Sequence, residues 1–415
     1  MRVDVGKIRR DFPILSRKIR GKRLIYIDNT ATSQRPIQVI RAMEEFYRTY
    51  NANVHRGIHT LSEEASELYE EAHKVVARFI GAKGMQEIIF VRNTTEALNI
   101  VALSYGLGVI EKGDEIVISI MEHHSNMLPW IYLAERKGAR IRVVDILDNH
   151  TLNYDMLAEI INEKTKIIAI TQASNVLGTL NDIKKIAKLA REVDATLVVD
   201  GAQSVPHIPV DVRDIDCDFL AFSGHKMLGP TGIGALYGRE ELLEKMNPVF
   251  VGGGMISSVS LQIDGRHDVE WGVLPWKFEA GTPNIAGGIG LAEAVRYLEN
   301  VGMQNIKEHE YKLTKYALEK LREGLGDNID IYGPPPEERV GIIPFNIKGM
   351  DPHVVALYLD EYGICVRSGF HCAEPLHHRL GLEKGTVRAS FYLYNTFEEI
   401  DIFVDALVEI FKKQK

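Results

Sequence analysis

Short apolar runs alternate with longer amphipathic stretches between about residues 24 and 300 of the chain. A run that is apolar at nearly every position predicts a strand covered on both faces, as the strands of parallel sheets are. Because amphipathic helical stretches separate the runs, we predict a mostly parallel sheet flanked by helices. The predicted strands are 87–91, 115–120, 141–144, 166–170, 196–199, 219–222 and 233–237.

The stretch after residue 60 illustrates the helical pattern. Its apolar residues fall on one stripe with the period of an α-helix. Ser62 is a favourable N-cap residue and Gly81 is a favourable stop. We therefore predict a helix that is capped by Ser62 and ends near Gly81.

The regular alternation of strand and helix patterns ends after about residue 300. A long helical pattern over 304–325 leads to a Gly-Pro-Pro-Pro segment at 333–336, which must interrupt regular structure. Thr396 and Glu399 have the spacing of a capping box, which predicts the start of a C-terminal helix. This part of the chain is typical of a smaller α+β domain.

These patterns predict an α/β fold in three parts. A large domain over 24–300 would carry a mostly parallel seven-stranded sheet, and a smaller α+β C-terminal domain would span 301–415. The N-terminal segment, 1–23, is expected to pack with the small domain, because Phe12 and Ile14 need a core.

Composition narrows the classes of function. The chain has 415 residues and a formal net charge of −8 without a basic block, which argues against nucleic-acid binding. It has no apolar run of membrane-spanning length, and its charged start lacks the apolar core of a signal peptide. Three cysteines are too few for a disulfide framework. We therefore expect a cytoplasmic protein that does not bind membranes.

Polar residues follow two of the predicted strands. Asp200 comes directly after 196–199, and His225 and Lys226 follow 219–222. Ligands of such sheets bind outside the carboxyl ends of the strands. Asp200 could simply cap a turn and Lys226 could lie on the surface. A lysine beside a buried strand can instead be desolvated and act as a nucleophilic amine.

Two further strand ends carry candidate chemistry. Thr94 and Thr95 open a predicted helix, where hydroxyls and free N–H groups form an anion site or a simple cap. His123 follows 115–120 and is suited to stacking on a flat ring. One cofactor accounts for all these features, since pyridoxal phosphate needs a lysine, an acidic partner and an anion pocket. P-loop, dinucleotide-binding and HExxH motifs are absent from the sequence.

A set of ordered motifs across the chain resembles the class V aminotransferase-like family of pyridoxal-phosphate enzymes. The resemblance is strongest to the type II, SufS-like cysteine desulfurases, and it implies the transferase fold of type I. Where that family usually has histidine, this chain has Phe370. The matching motifs are DNTATSQ at 28–34, NVHRGIH at 53–59, NTTE at 93–96, MEHHSN at 121–126, DGAQ at 200–203, SGHK at 223–226, FEAGTPN at 278–284 and RSGFHCA at 367–373.

The resemblance implies a role for each cofactor-binding residue. Lys226 would form the Schiff base with the cofactor, Asp200 would pair with the pyridinium nitrogen, and Gln203 would bind the phenolic oxygen. His123 would stack on the ring. The implied phosphate ligands are Thr94, Thr95, Ser223 and His225, with Thr282 reaching the phosphate of the other subunit of a homodimer.

The resemblance also implies the residues that handle substrate. Asn175 and Arg388 would clamp the substrate carboxylate, with Arg367 nearby. Cys372 would be the nucleophile, and it lies in a loop-like segment, whereas Cys217 and Cys365 lie beside or within apolar strands. A lone cysteine is most often a buried structural thiol. A zinc site around Cys372 is disfavoured because its candidate ligands are too close in sequence to surround one ion, so we expect no metal.

The implied activity is the removal of sulfur from L-cysteine, giving L-alanine and a persulfide on Cys372 that passes to an acceptor or scaffold protein of iron-sulfur cluster assembly. Selenocysteine lyase and cysteine-sulfinate desulfinase share the architecture and are alternatives. A pyridoxal-phosphate-binding scaffold without turnover is another, and the presence of Lys226, Asp200 and Cys372 argues against it.

Overall fold

The computed structural model describes residues 4–414 of the chain. Its strands are β1 (Lys18–Ile19), β2 (Lys22–Arg23), β3 (Ile25–Tyr26), β4 (Ile88–Val91), β5 (Glu115–Ser119), β6 (Arg140–Val144), β7 (Thr165–Thr171), β8 (Thr196–Asp200), β9 (Phe219–Ser223), β10 (Gly234–Gly238), β11 (Ile256–Leu261), β12 (His267–Trp271), β13 (Ile329–Ile331), β14 (Ile342–Ile347), β15 (Ile364–Cys365), β16 (Arg367–Gly369) and β17 (Thr386–Ser390).

The α-helices lie between and after these strands. In chain order they are α1 (Val5–Arg10), α2 (Ile37–Glu45), α3 (Thr60–Phe79), α4 (Thr94–Ile100), α5 (Leu107–Val109), α6 (Leu128–Lys137), α7 (Tyr154–Ile160), α8 (Ile183–Glu192), α9 (Glu240–Lys245), α10 (Ile285–Val301), α11 (Met303–Leu325), α12 (Pro352–Glu361), α13 (Glu374–Arg379) and α14 (Phe397–Gln414).

The central sheet has seven strands in the order β4-β10-β9-β8-β7-β5-β6. Strands β5 to β9 are mutually parallel, and β10 runs antiparallel to both β4 and β9. The seven strands predicted from apolar runs are these seven, with ends that differ by a residue or so. The prediction of a mostly parallel, helix-flanked sheet is confirmed.

Alternate residues of each central strand face opposite layers of the fold. In β4, Ile88 and Phe90 pack in the layer that contains α3 and α10, whereas Ile89 and Val91 pack in the layer of α4 and α6. This two-residue period follows from the pleat of a strand. Because both faces are covered, the inner strands are apolar over most of their length, whereas the edge strand β6 carries Arg140 and Arg142 and is only partly buried. Polar residues stand at the carboxyl ends of four inner strands: Ser119, Thr171, Asp200 and Ser223.

Helix α3 starts earlier than the sequence indicated. His59 is the N-cap residue, and its Nδ1 accepts the backbone N–H of Ser62 at 3.3 Å. Ser62 instead lies in the first turn, where its hydroxyl donates to the carbonyl oxygen of Asn53 at 2.7 Å. The prediction of a Ser62 cap was wrong because His59 Nδ1 supplies the capping acceptor and the helix has already begun at Thr60, which places Ser62 inside the first turn.

The C-terminal part forms a second, smaller sheet with the order β13-β14-β17-β16. Helices α11, α12 and α14 pack with it around a separate apolar core. The predicted capping box is present at the start of α14: Glu399 N–H donates to the Thr396 hydroxyl, and Thr396 N–H donates to the Glu399 carboxylate, each at 3.2 Å. This reciprocal pair satisfies N–H groups that the helix itself leaves free.

The N-terminal segment contacts both parts of the molecule. Phe12 is buried against the rings of Tyr297 and Tyr394, whereas Ile14 is 40% exposed, so the expectation that Ile14 needs a core was wrong. Strand β3 pairs in parallel with β15. Within residues 4–414, no helix is long and apolar enough to cross a membrane.

Candidate active site

A cavity of about 240 Å³ lies where the carboxyl ends of β7, β8 and β9 face the smaller sheet. It brings together residues from distant parts of the sequence, from Thr30 to Arg388. The predicted site residues that line it are Thr94, Thr95, His123, Asn175, Asp200, Gln203, Ser223, His225, Lys226, Arg367, Cys372 and Arg388.

Lys226 ends the short 3-10 turn that follows β9. Its side-chain amine has no hydrogen bond or ion pair with any residue that the structure describes. Burial lowers the pKa of Lys226 to about 8, although the nearby Asp200 opposes the shift. About a tenth of this amine is therefore uncharged at pH 7, far more than for an ordinary lysine, and the uncharged form is the one that can attack a carbonyl carbon.

Asp200 is the last residue of β8 and is almost fully buried. One carboxylate oxygen, Oδ1, accepts the backbone N–H of Ala202 at 2.9 Å. Burial raises the pKa of Asp200, while the Ala202 N–H and the charge of Lys226 act in the opposite direction. A buried carboxylate with so few partners is costly unless a cationic group is placed beside it.

Gln203 lies in the turn after Asp200 and contacts the loop that follows β3. Its Nε2 donates to the carbonyl oxygen of Thr30 at 2.8 Å. Its Oε1 is buried without a hydrogen-bond partner among residues 4–414. Since buried polar atoms are nearly always paired, this amide has unused hydrogen-bonding capacity at the cavity wall.

Hydroxyl groups cluster where α4 begins. The hydroxyls of Thr94 and Ser223 lie 2.7 Å apart, and the backbone N–H of Thr94 donates to Ser223 Oγ at 2.8 Å. Thr95 makes a similar contact of 2.7 Å with the hydroxyl of Ser125. Asn93 is the residue that caps the helix, by accepting the N–H of Glu96, so the hydroxyls of Thr94 and Thr95 do not serve as its cap. The cluster presents several donors to one side of the cavity.

Two histidine rings at the cavity are uncharged. Burial and the charge of Lys226 lower the pKa of His123 to about 3 and the pKa of His225 to about 4. The Nδ1 atom of His123 accepts the backbone N–H of Ser125 at 3.0 Å. Because the ring is neutral and Nδ1 accepts, the proton of His123 is on Nε2.

Arg388 lies on β17 and is buried at the wall contributed by the smaller sheet. Its Nη1 donates to the carbonyl oxygen of Asn175 at 2.8 Å, and its Nη2 lies 3.5 Å from Asp28 Oδ1. Burial lowers the pKa of Arg388 to about 10, so it stays charged at neutral pH. Arg367 stands opposite Arg388 in the β16–β17 pairing. Two guanidinium groups thus approach the cavity from neighbouring strands.

Cys372 is exposed in the loop between β16 and α13, and it is the cysteine that lines the cavity. Its carbonyl oxygen accepts the backbone N–H of His124 at 2.7 Å. Burial raises the pKa of the other two thiols, Cys217 and Cys365, which favours their protonated and unreactive form. The cysteine that sequence singled out is thus the accessible one beside Lys226.

Comparison with known proteins is consistent with this geometry. The aminotransferase class-V family model matches residues 25–403. This chain belongs to the aminotransferase class-V family. Among its relatives, a probable cysteine desulfurase of Staphylococcus epidermidis is 53% identical over 97% of this chain and 96% of its own length. A cysteine desulfurase of Haloferax volcanii is 48% identical over 98% of this chain and 96% of its own length.

A solved structure has the same architecture. The apo structure of the cysteine desulfurase from Thermococcus onnurineus NA1 superposes on this class-V chain with a TM-score of 0.92 at 43% sequence identity. The similarity covers 100% of this chain and 99% of that one. The likeness therefore extends over both sheets and the cavity between them.

Thr282 does not line this cavity of the class-V chain. It is exposed at a second cavity, of about 280 Å³, together with Asn53, His55, Arg56 and Trp276. Within one chain, Thr282 is thus separate from the other predicted phosphate ligands. This placement is compatible with a role that is exerted on a neighbouring subunit.

Several residues that line the cavity are not among the predicted site residues. Thr30 lies in the loop after β3, Thr171 ends β7, and His371 precedes Cys372. Each belongs to, or follows, a recognisable signal: Thr30 lies within the motif at 28–34, Thr171 is a polar residue at a strand end, and His371 lies within the motif at 367–373. The strand-end rule applied to every strand would have found Thr171.

Proposed function

We propose that this class-V chain is a pyridoxal-phosphate-dependent cysteine desulfurase that forms L-alanine and a persulfide from L-cysteine. The observation that carries the proposal is the single cavity that holds both the partly uncharged amine of Lys226 and the exposed thiol of Cys372. A transaminase needs the amine and has no use for the thiol, whereas sulfur transfer needs both.

The cavity residues fit the cofactor. Asp200 is a buried carboxylate with a single backbone partner, which suits a protonated pyridine nitrogen, and Gln203 Oε1 is buried without a partner. The hydroxyls of Thr94 and Ser223 suit a phosphate group, and His123 offers a flat neutral ring. When bound, pyridoxal phosphate would withdraw electrons from the substrate carbon that carries the amino group.

The remaining chemistry belongs to residues of this chain. Arg388 and Asn175 would hold the substrate carboxylate, because a planar guanidinium and an amide N–H match its two oxygens. Lys226 Nζ, whose pKa is about 8, would hold and move the proton of the substrate's Cα atom. A base with a pKa near the working pH is well matched to that task.

Cys372 would carry out the sulfur transfer as a thiolate. Its Sγ attacks the substrate sulfur, the new S–S bond forms, and the Cβ–S bond of the substrate breaks. The electron pair of the broken bond stays with the substrate carbon and is finally protonated, which yields L-alanine. The sulfur remains on Cys372 as a persulfide, ready for an acceptor protein.

We further propose a cytoplasmic homodimer that supplies sulfur to an acceptor or scaffold protein of iron-sulfur cluster assembly. The exposed position of Thr282, outside the cavity of its own chain, supports the dimer.

We also propose the domain division at 24 and 300, supported by the separate apolar core of the smaller sheet. Ile25 and Ile27 belong to that core, so the start of the large domain is packed against the smaller one.

The activity is tested by incubating the cofactor-loaded protein with L-cysteine and measuring alanine with and without a reductant. We expect at most about one alanine per active site without reductant, and continuous turnover with it, because only a reductant or acceptor removes the persulfide. Release of alanine from cysteine sulfinate or selenocysteine, with none from L-cysteine, would refute the proposal in favour of a desulfinase or a selenocysteine lyase.

A further inference from the structure

The turn that carries Cys372 has an uncommon backbone. His371 and Cys372 have φ angles of 51° and 57°, both in the left-handed region that residues with side chains rarely adopt. Such a conformation persists only where surrounding contacts hold it, and it recurs at functional sites. The contacts that hold this turn therefore decide where the thiol lies.

The ring of His377 has one defined hydrogen-bonding direction. Its Nδ1 lies 2.9 Å from the carbonyl oxygen of Ala373, and since a carbonyl only accepts, Nδ1 carries the proton. Burial lowers the pKa of His377, so the ring is neutral and its Nε2 is an acceptor. The hydroxyl of Thr386 lies 3.3 Å from that Nε2 and donates to it.

The ring of His371 completes the network from the other side. Its Nε2 lies 3.1 Å from the carbonyl oxygen of Thr386 and 3.0 Å from the Thr386 hydroxyl oxygen. The carbonyl requires a proton on Nε2, and the hydroxyl oxygen can accept from it because its own proton points to His377. Burial, with the charge of Arg388, lowers the pKa of His371 well below its ordinary value, so this ring is neutral too.

These hydrogen bonds form one chain in which each group donates to the next. His371 donates to the Thr386 hydroxyl, this hydroxyl donates to His377, and His377 donates to the carbonyl oxygen of Ala373. This chain of hydrogen bonds begins one residue before Cys372 and ends one residue after it. We propose that Thr386 is a positioning residue for the nucleophile, whose hydroxyl holds the left-handed turn at His371 and Cys372. Thr386 is fully buried on β17, does not line the cavity and acts through His371. The inference rests on the proposed role of Cys372.

The test compares Thr386→Val, which removes the hydroxyl and keeps the shape, with Thr386→Ser, which keeps the hydroxyl. Amide hydrogen exchange is measured on the cofactor-free protein, over the peptide 370–376. We expect faster exchange there in the valine variant and wild-type exchange in the serine variant. In the loaded enzyme, kcat for alanine formation should fall by about tenfold in the valine variant, because a small misplacement of a reacting group slows chemistry. KM for L-cysteine and the cofactor's visible absorption should not change.

Thr314→Val is the matched control. The Thr314 hydroxyl is also buried and donates to a carbonyl oxygen, that of Glu310 in α11, at 2.7 Å. This variant should leave exchange at 370–376 and kcat at the wild-type level. Should Thr386→Val fail to fold, His377→Asn gives a second route, since asparagine keeps a donor near the position of Nδ1 and removes the Nε2 acceptor.

Three results would overturn the proposal: wild-type exchange and kcat in Thr386→Val, equal losses in the serine variant, or the same local loosening in Thr314→Val. Failure of the proposed function has a different signature. In that case the wild-type protein makes no alanine from L-cysteine, while the exchange measurements on the cofactor-free protein still report whether Thr386 holds the turn.

Discussion

Asn175 donates its side-chain N–H to the carbonyl oxygen of His371, with an N···O distance of 2.7 Å. The backbone carbonyl oxygen of Asn175 accepts a hydrogen bond from Nη1 of Arg388, with an N···O distance of 2.8 Å. One residue of the large-sheet side therefore contacts both the arginine that would bind the substrate carboxylate and the residue preceding Cys372. In the proposed mechanism, Asn175 would therefore join substrate binding to the placement of the nucleophile.

Replacing Asn175 with Asp should impair both functions. A carboxylate cannot donate to the His371 carbonyl, and it repels the carboxylate of L-cysteine. We expect KM for L-cysteine to rise and kcat to fall, each by about tenfold, as a lost charge-assisted contact and a misplaced nucleophile would produce. Steady-state alanine formation measures both constants.

Asn346→Asp is the control for Asn175. Asn346 Nδ2 also donates to a carbonyl oxygen, that of Gly385, at 3.0 Å, but Asn346 does not line the cavity. Its substitution should leave both constants near wild type. Equal losses in the two variants would mean that Asn175 acts only through general stability.

Asp200→Asn should retain the cofactor and lose most activity. The hydroxyls of Thr94 and Ser223 and the amine of Lys226 remain in place, so binding loses only one contact. A neutral amide cannot stabilise a protonated pyridine nitrogen, so alanine formation should fall by at least about a hundredfold. Cofactor content after dialysis and single-turnover rates test the two parts separately. Unchanged turnover would mean that Asp200 does not have this role. The control is Asp182→Asn, since Asp182 is an exposed residue that caps α8.

Cys372→Ser should bind the cofactor and L-cysteine and fail to form a persulfide. Sulfur transfer needs a soft nucleophile that ionises near neutral pH, and a serine hydroxyl is neither soft nor ionised there. Mass spectrometry of the wild-type protein after incubation with L-cysteine should locate a reducible gain of one sulfur atom on the peptide that contains Cys372. Sulfur on Cys217 or Cys365, or undiminished sulfur in the serine variant, would contradict the mechanism.

The cofactor-free protein should become more stable when Lys226 is replaced by Met. Burial lowers the pKa of Lys226 from 10.5 to about 8, so between those values the unfolded chain binds more protons than the folded one. The free energy of unfolding of the wild type therefore rises with pH over this window, and the charged amine destabilises the fold below it.

The methionine variant lacks this charge. At pH 7 its free energy of unfolding should exceed that of the wild type by up to about 3 kcal/mol, the value that corresponds to the pKa difference. The advantage should shrink as the pH approaches 10.5. Urea unfolding of cofactor-free protein at several pH values measures it, and exposed Lys188→Met should show no such trend. A constant difference at every pH would indicate that packing, and not charge, causes the change in stability.

After loading with the cofactor, the methionine variant should also lack the visible absorption band of a Schiff base.

The sequence by itself determined the elements whose signals are local. The seven apolar runs became the seven strands of the large sheet, Asp200 and Ser223 ended two of them, and Thr396 and Glu399 formed their capping box. These features depend on side-chain period and on contacts within one turn, which a linear pattern contains. The strand-end lysine, aspartate and hydroxyl residues from which the sequence predicted a pyridoxal-phosphate site all line one cavity.

Only the tertiary structure decided how these residues work together. It moved the cap of α3 from Ser62 to His59, joined Asn175 to His371 and linked His371 to Thr386. The contacts of Asn175 and Thr386 with His371 join different elements of the fold, so no local pattern encodes them. The neutral rings of His123 and His225 have the same origin, because burial and neighbouring charges set a pKa, and both arise only when distant segments close around the cavity.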